Sequence, residues 1–92
     1  MMPGQWDYQN MPECKLPEDA AAAFSKTVGS YVGVSYTPVL YVAKQAVSGT
    51  NYCFVCKTVT VSNPPAEGCK AVFVYMDLKG NSSVTHIYDI ID

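Results

Sequence analysis

The spacing of hydrophobic positions changes once along this chain, near residue 33. Before that point Ala20, Ala23, Phe24, Val28 and Tyr31 recur at intervals of three and four, which places them on one stripe of a helix. Pro17, Glu18 and Asp19 open the segment. Proline suits a first helical turn because its missing N–H has no partner there, and the two carboxylates complement the positive end of the helix dipole. Gly29, Ser30 and Gly33 predict an end near residue 31. Beyond residue 33 the segments 36–44, 50–62, 70–79 and 84–91 are rich in Val, Ile, Thr, Tyr and Phe, the side chains that fit a pleated surface.

Turn signals separate these four segments: Ser48-Gly49, then Asn63-Pro64-Pro65-Ala66-Glu67-Gly68, then Gly80-Asn81-Ser82-Ser83. Connections this short make an antiparallel meander, since parallel pairing needs crossovers of about a dozen residues or more. The expected fold is therefore α+β, with one α-helix packed on a four-stranded antiparallel sheet. Alternation divides the third strand into Val72, Val74, Met76 and Leu78 on one side and Ala71, Phe73, Tyr75 and Asp77 on the other. The first set is expected to face the helix. That leaves Phe73 and Tyr75 outside, either as cross-strand aromatic pairs or as a partner surface.

Residues 1–16, with Pro3, Gly4, Asn10 and Pro12, lack apolar periodicity and read as an extended arm on a single domain spanning 1–92. The composition, 49% hydrophobic and 15% charged, excludes disorder. Six lysines, no arginine and eight carboxylates give a net charge of −2, so no basic stripe is available to follow a phosphate backbone and nucleic acid is not expected as a partner. No apolar run approaches the length of about 18 residues that spans a bilayer, so no membrane association is expected. The first residues have neither the basic nor the apolar region of a secretory signal. The chain as written reads as cytosolic, or as a mature secreted form.

Cys14, Cys53, Cys56 and Cys69 allow two disulfides in any of three pairings, one, or none. Cys53 and Cys56 have the spacing of a redox or zinc pair, yet they fall within a strand, where such positions point to opposite faces. A tetrahedral zinc site would need Cys14, Cys69 or His86 to converge on them. Buried thiols, or one bridge from Cys14 to a sheet cysteine, fit better. His86 stands without a triad, and Asp77, Asp89 and Asp92 form no metal spacing. The expectation is a binding protein without cofactor, metal or catalytic residues, not an enzyme.

One motif points to a family. Gln45-Ala46-Val47-Ser48-Gly49, followed by Thr50-Asn51-Tyr52, sits where the first two strands join. It resembles the Gln-x-Val-x-Gly segment of the cystatins and stefins, protein inhibitors of papain-like cysteine proteases, and lies where that family carries it, in the first hairpin after a helix and one strand. The resemblance covers about residues 17–91, with Gly4 as an addition, and implies a cystatin-like fold and a wedge. In that wedge an N-terminal arm and two hairpins fill a protease cleft.

By this resemblance Gly49 would let the loop turn and let another protein's backbone approach. Val47 would supply apolar contact at the tip, flanked by Ala46 and Ser48, and Gln45 would hold the loop's shape. Gly4 would be the hinge that lets Met2 and Pro3 lie in the cleft, with Trp6 either an anchor beside the hairpins or packed on the sheet. The family's second hairpin bears Pro-Trp or Leu-Pro, whereas Gly80-Asn81-Ser82-Ser83 offers no apolar anchor, which implies weaker inhibition. Two readings follow: a reversible inhibitor of papain-like cysteine proteases, or a non-inhibitory binding or structural module on the same frame. Either would be a monomer, or a dimer that exchanges its helix and first strand about a hinge at 45–49.

Overall fold

A computed structural model describes residues 4–91. One helix, α1 (Glu18–Ser25), is followed by a 3₁₀ turn, Val28–Ser30, and by four strands. The strands are β1 (Val34–Val47), β2 (Gly49–Thr60), β3 (Glu67–Met76) and β4 (Ser82–Asp89). All neighbours are antiparallel, and their order across the sheet is their order in the chain. The architecture is the α+β meander expected from the period change, with each strand's bounds shifted by a few residues.

The helix is shorter than its stripe. α1 stops at Ser25, and Thr27 takes φ −116° and ψ −104°, outside the helical region. The Thr27 hydroxyl donates to the carbonyls of Ala23 at 2.8 Å and Phe24 at 3.2 Å, satisfying oxygens that a further turn would have used. Thr27, Val28, Gly29 and Ser30 are all poor helix formers, so little opposes this ending. Val28 still reaches the core, but Tyr31 is 46% exposed and does not belong to the buried stripe. Its ring instead meets Tyr36 edge-on at 5.7 Å.

The core lies between α1 and one sheet face. Ala20, Ala23, Phe24 and Val28 pack on Tyr52, Phe54, Cys56, Val72 and Val74. On β2 every second residue from Tyr52 to Thr58 is buried, the period of a strand with one covered face. Two register shifts in β1, between Pro38 and Leu40 and between Tyr41 and Ala43, mark bulges, and bulges bend and twist a strand. Pro38, which has no N–H for a ladder, lies in β1 at the sheet's edge, where it is tolerated. Residues 4–16 form no regular element. They are tied down where the Cys14 N–H donates to the Pro38 carbonyl at 2.9 Å and where Leu16 packs on the core.

Near the start of α1 a polar group joins three elements. The Tyr52 hydroxyl donates to Asp19 Oδ2 at 3.1 Å and Lys44 Nζ lies 3.4 Å from the same oxygen. The Tyr52 bond holds the Asp19 carboxyl below its ordinary value, and burial pushes the Tyr52 phenol up.

In β3, Val72, Val74 and Met76 face the helix as alternation requires, but Leu78 does not. The strand ends at Met76, and Leu78 is 82% exposed in the turn that follows.

Candidate protein-binding edge

The first hairpin closes tightly. Val47 pairs with Gly49 across the β1–β2 ladder, so Ser48 alone forms the apex. Gly49 has φ +108°, a backbone geometry that L side chains rarely adopt. One step back, Gln45 pairs with Asn51, and the Asn51 amide donates to Gln45 Oε1 at 3.0 Å. Gln45 therefore braces the hairpin from within. Ala46, Val47 and Ser48 are exposed at the tip, and half of Val47's surface is open.

Gly49 does not present its backbone to an approaching molecule, contrary to the role the resemblance implied. It is buried against the end of β3, where a Cβ would stand 2.5 Å from the Met76 carbonyl oxygen and 2.7 Å from the Tyr75 hydroxyl. The missing side chain makes room for the protein's own neighbouring strand. Tyr75 uses that room: its hydroxyl donates to the Ser48 carbonyl and fastens the apex to β3.

The second turn lies beside the first. Asp77 Oδ1 accepts the backbone N–H of Lys79 at 2.8 Å and of Asn81 at 2.9 Å, and Asn81 Nδ2 lies 3.3 Å from Oδ2. These bonds, led by the Asn81 N–H, hold the Asp77 carboxyl below its ordinary value. Lys26 Nζ, just past α1, donates to the Gly80 carbonyl at 3.2 Å. Between the two turns Ser48, Tyr75, Asp77, Leu78, Lys79 and Asn81 enclose a depression of about 340 Å³.

The edge thus carries two apolar tips, Val47 and Leu78. Alternation predicts the second on the buried face, and Gly80–Ser83 itself offers no apolar anchor, but the strand ends at Met76 and leaves Leu78 exposed in the turn. Asp77 and Gly80 stand at the first and fourth positions of a turn, where Asp and Gly are favoured in the type I form. That spacing could have located the tip.

Asp77 also sets a pH dependence. Its depressed folded-state pKa stabilises the native form above the ordinary carboxylate value of 3.8, and this contribution is lost as pH falls below that value through the folded-state pKa. Thermal melts taken down through this range are expected to fall less steeply for Asp77→Asn than for the parent chain. Parallel profiles would show that the carboxylate does not hold the turn.

The arm is elsewhere. Gly4, Gln5, Trp6 and Tyr8 line a hollow with Pro64, Pro65, Ala66 and Glu67 of the β2–β3 connection. That connection is at the opposite end of β2 from Ser48, and 12 residues of strand separate the ends, roughly 40 Å at 3.3 Å per residue. Gly4 therefore does not join Gln45–Gly49 in one edge, nor does Trp6, which is 63% exposed in that distant hollow. The geometry brings the two hairpin turns together and leaves the arm apart from them. Met2 and Pro3 lie outside the described residues.

Cys14, Cys53, Cys56 and Cys69 are free thiols, and burial pushes the Cys56 thiol up to about 12, which makes it inert as a nucleophile at neutral pH. Among the described residues no three His, Cys, Asp or Glu groups converge to hold a metal. His86 stacks on Tyr88 at 5.5 Å on the open sheet face, with Phe73 edge-on to both. No described helix is long and apolar enough to cross a membrane. Comparisons with protein-family models, with curated proteins and with solved structures return no match to this chain.

Proposed function

We propose that this chain is a reversible inhibitor of papain-like cysteine proteases that acts through its two-hairpin edge. The observation that carries the reading is that Val47 and Leu78, both exposed, stand at neighbouring turns that are fastened to the rest of the fold before any partner arrives. A tip already held in shape loses little conformational entropy on docking, so more of its contact energy appears as affinity. Exposed apolar tips on a rigid polar frame also suit a cleft, because a few buried anchors dominate interface energy. The Gln45-Ala46-Val47-Ser48-Gly49 motif supplies the protease class, by resemblance.

Titration of papain activity with the purified protein tests this. Val47→Asp and Leu78→Asp are each expected to weaken inhibition by about tenfold or more, equivalent to roughly 1.4 kcal/mol, with unchanged melting temperature because both side chains project outward. Gly4→Ala and Trp6→Ala are expected to leave inhibition within about twofold, since both residues lie at the far end of β2. Weakening confined to the arm variants would overturn the two-hairpin reading. The arm's remoteness favours the second reading, a non-inhibitory binding module that uses the same edge. Absence of inhibition by the folded parent protein would select it.

A further inference from the structure

The outer edge of β4 has no partner strand among the described residues. It also lacks the usual guards of an open edge, since Ser82–Asp89 contains no Pro and no Lys, and its one carboxylate, Asp89, is at the end. A bulge is the remaining guard. Phe73 pairs with His86 and Val74 with Val84, which leaves Thr85 as an extra residue whose hydroxyl donates to the Phe73 carbonyl at 3.2 Å.

The bulge sets which main-chain groups point outward. Antiparallel partners alternate between pairs that exchange N–H···O bonds and pairs that turn those groups away. The Ile90 N–H bonds the Cys69 carbonyl, and the Asp77 N–H bonds the Asn81 carbonyl. Counting inward from these two bonds along the β3–β4 register, residues 82, 84, 87 and 89 turn their N–H and C=O groups to the free edge. Their spacing is two, three, two. A regular strand offers two, two, two, and matches at most half of this edge before falling out of step. The same edge reversed matches throughout.

We infer that the β4 edge is built to pair with β4 of a second copy of this chain. A two-fold axis between Thr85 and His86 sets Val84 against Ile87 of the second copy, and Ser82 against its Asp89. Val84 and Ile87, both packed at the margin of the core, then form a continuous apolar row across the join. No like charges oppose each other. The product is a sheet of eight strands, and because the central pair is antiparallel the two hairpin edges project from opposite ends.

Sedimentation equilibrium combined with amide hydrogen exchange tests the pairing on the full chain. The expected result is a concentration-dependent dimer in which the Val84 and Ile87 amides become at least tenfold more protected as protein concentration rises. The His86 amide, turned toward β3, stays protected throughout. Val84→Pro removes an outward donor and no β3 bond, and is expected to remain a folded monomer. Exchange in the parent protein stands as the test if that variant fails to fold. A chain that stays monomeric up to millimolar concentration overturns the inference. So does a dimer whose Val84 and Ile87 amides remain open, as in a dimer that exchanges α1 and β1.

Discussion

Gly49→Ala is expected to lower the stability of the fold by roughly 2 to 5 kcal/mol, the sum of left-handed backbone strain and overpacking. The two contributions can be separated. At φ +108° an alanine pays for a conformation that its Cβ disfavours, and that Cβ would stand 2.5 Å from a backbone carbonyl, which cannot rotate away as a flexible side chain can. Gly33 provides the control, since it has φ +91° with nothing within 4 Å of the Cβ position. Gly33→Ala should therefore show only the strain, roughly 1 to 2 kcal/mol. In a domain of this size the Gly49 loss corresponds to a fall in melting temperature of roughly 10 to 30 °C. Urea unfolding of the two variants beside the parent measures the difference. Equal losses would mean that β3 can move away from the hairpin, and that Tyr75 does not hold the Ser48 apex. The same contacts rule out Gly49 as a probe of partner approach, because any side chain placed there disturbs the fold before it meets another protein.

The parts of this structure legible in the sequence are those set by local periodicity. The switch from helical spacing to strand composition gave one helix and four antiparallel strands, and alternation placed Val72 and Val74 on the covered face. What was not legible depends on residues distant in the chain. The carbonyl that excludes a side chain at Gly49 belongs to Met76, and no local pattern connects the two. The end of α1 depended on the Thr27 hydroxyl competing for helical carbonyls, while the apolar stripe continued past it through Val28. Leu78 kept the parity of a buried strand residue although Asp77 had already turned the chain. The arm has no periodicity, so its course toward Pro64 and Pro65 rests on tertiary contact alone. For the candidate site, the motif identified the first tip and how Gln45 braces it, and missed the second tip and the arm's distance.

Phe54→Ala is expected to cost roughly 3 to 5 kcal/mol, the range for removing a large aromatic side chain from a core that can only partly collapse. Phe54 is fully buried at the centre of the sheet. Its ring meets Phe24 of α1 edge-on at 5.4 Å and stacks against Tyr41 at 5.6 Å and Tyr52 at 6.2 Å. The Phe24 and Phe54 rings thus join the helix to β2 beside Ala20, Ala23 and Val28 of the same core, and removing Phe54 leaves a space lined by aromatic neighbours. A chain of this length buries a smaller share of its surface than a larger domain does, so one cavity removes a large fraction of its stability. Phe73→Ala is the comparison, because Phe73 is only half-buried on the open face beside His86 and Tyr88, where water can fill the vacated position. Its cost should be less than half as large. Urea unfolding of both variants measures this. A Phe54→Ala loss no greater than that of Phe73→Ala would show that α1 is held on the sheet by Ala20, Ala23 and Val28 rather than by the ring. The Asp19 bond to Tyr52 separates the two cases independently, since it links α1 to the strand residue two positions before Phe54. If the ring seats the helix, removing it should also release the Tyr52 hydroxyl, and the phenol's pKa, raised by burial and by Asp19, should fall toward its ordinary value.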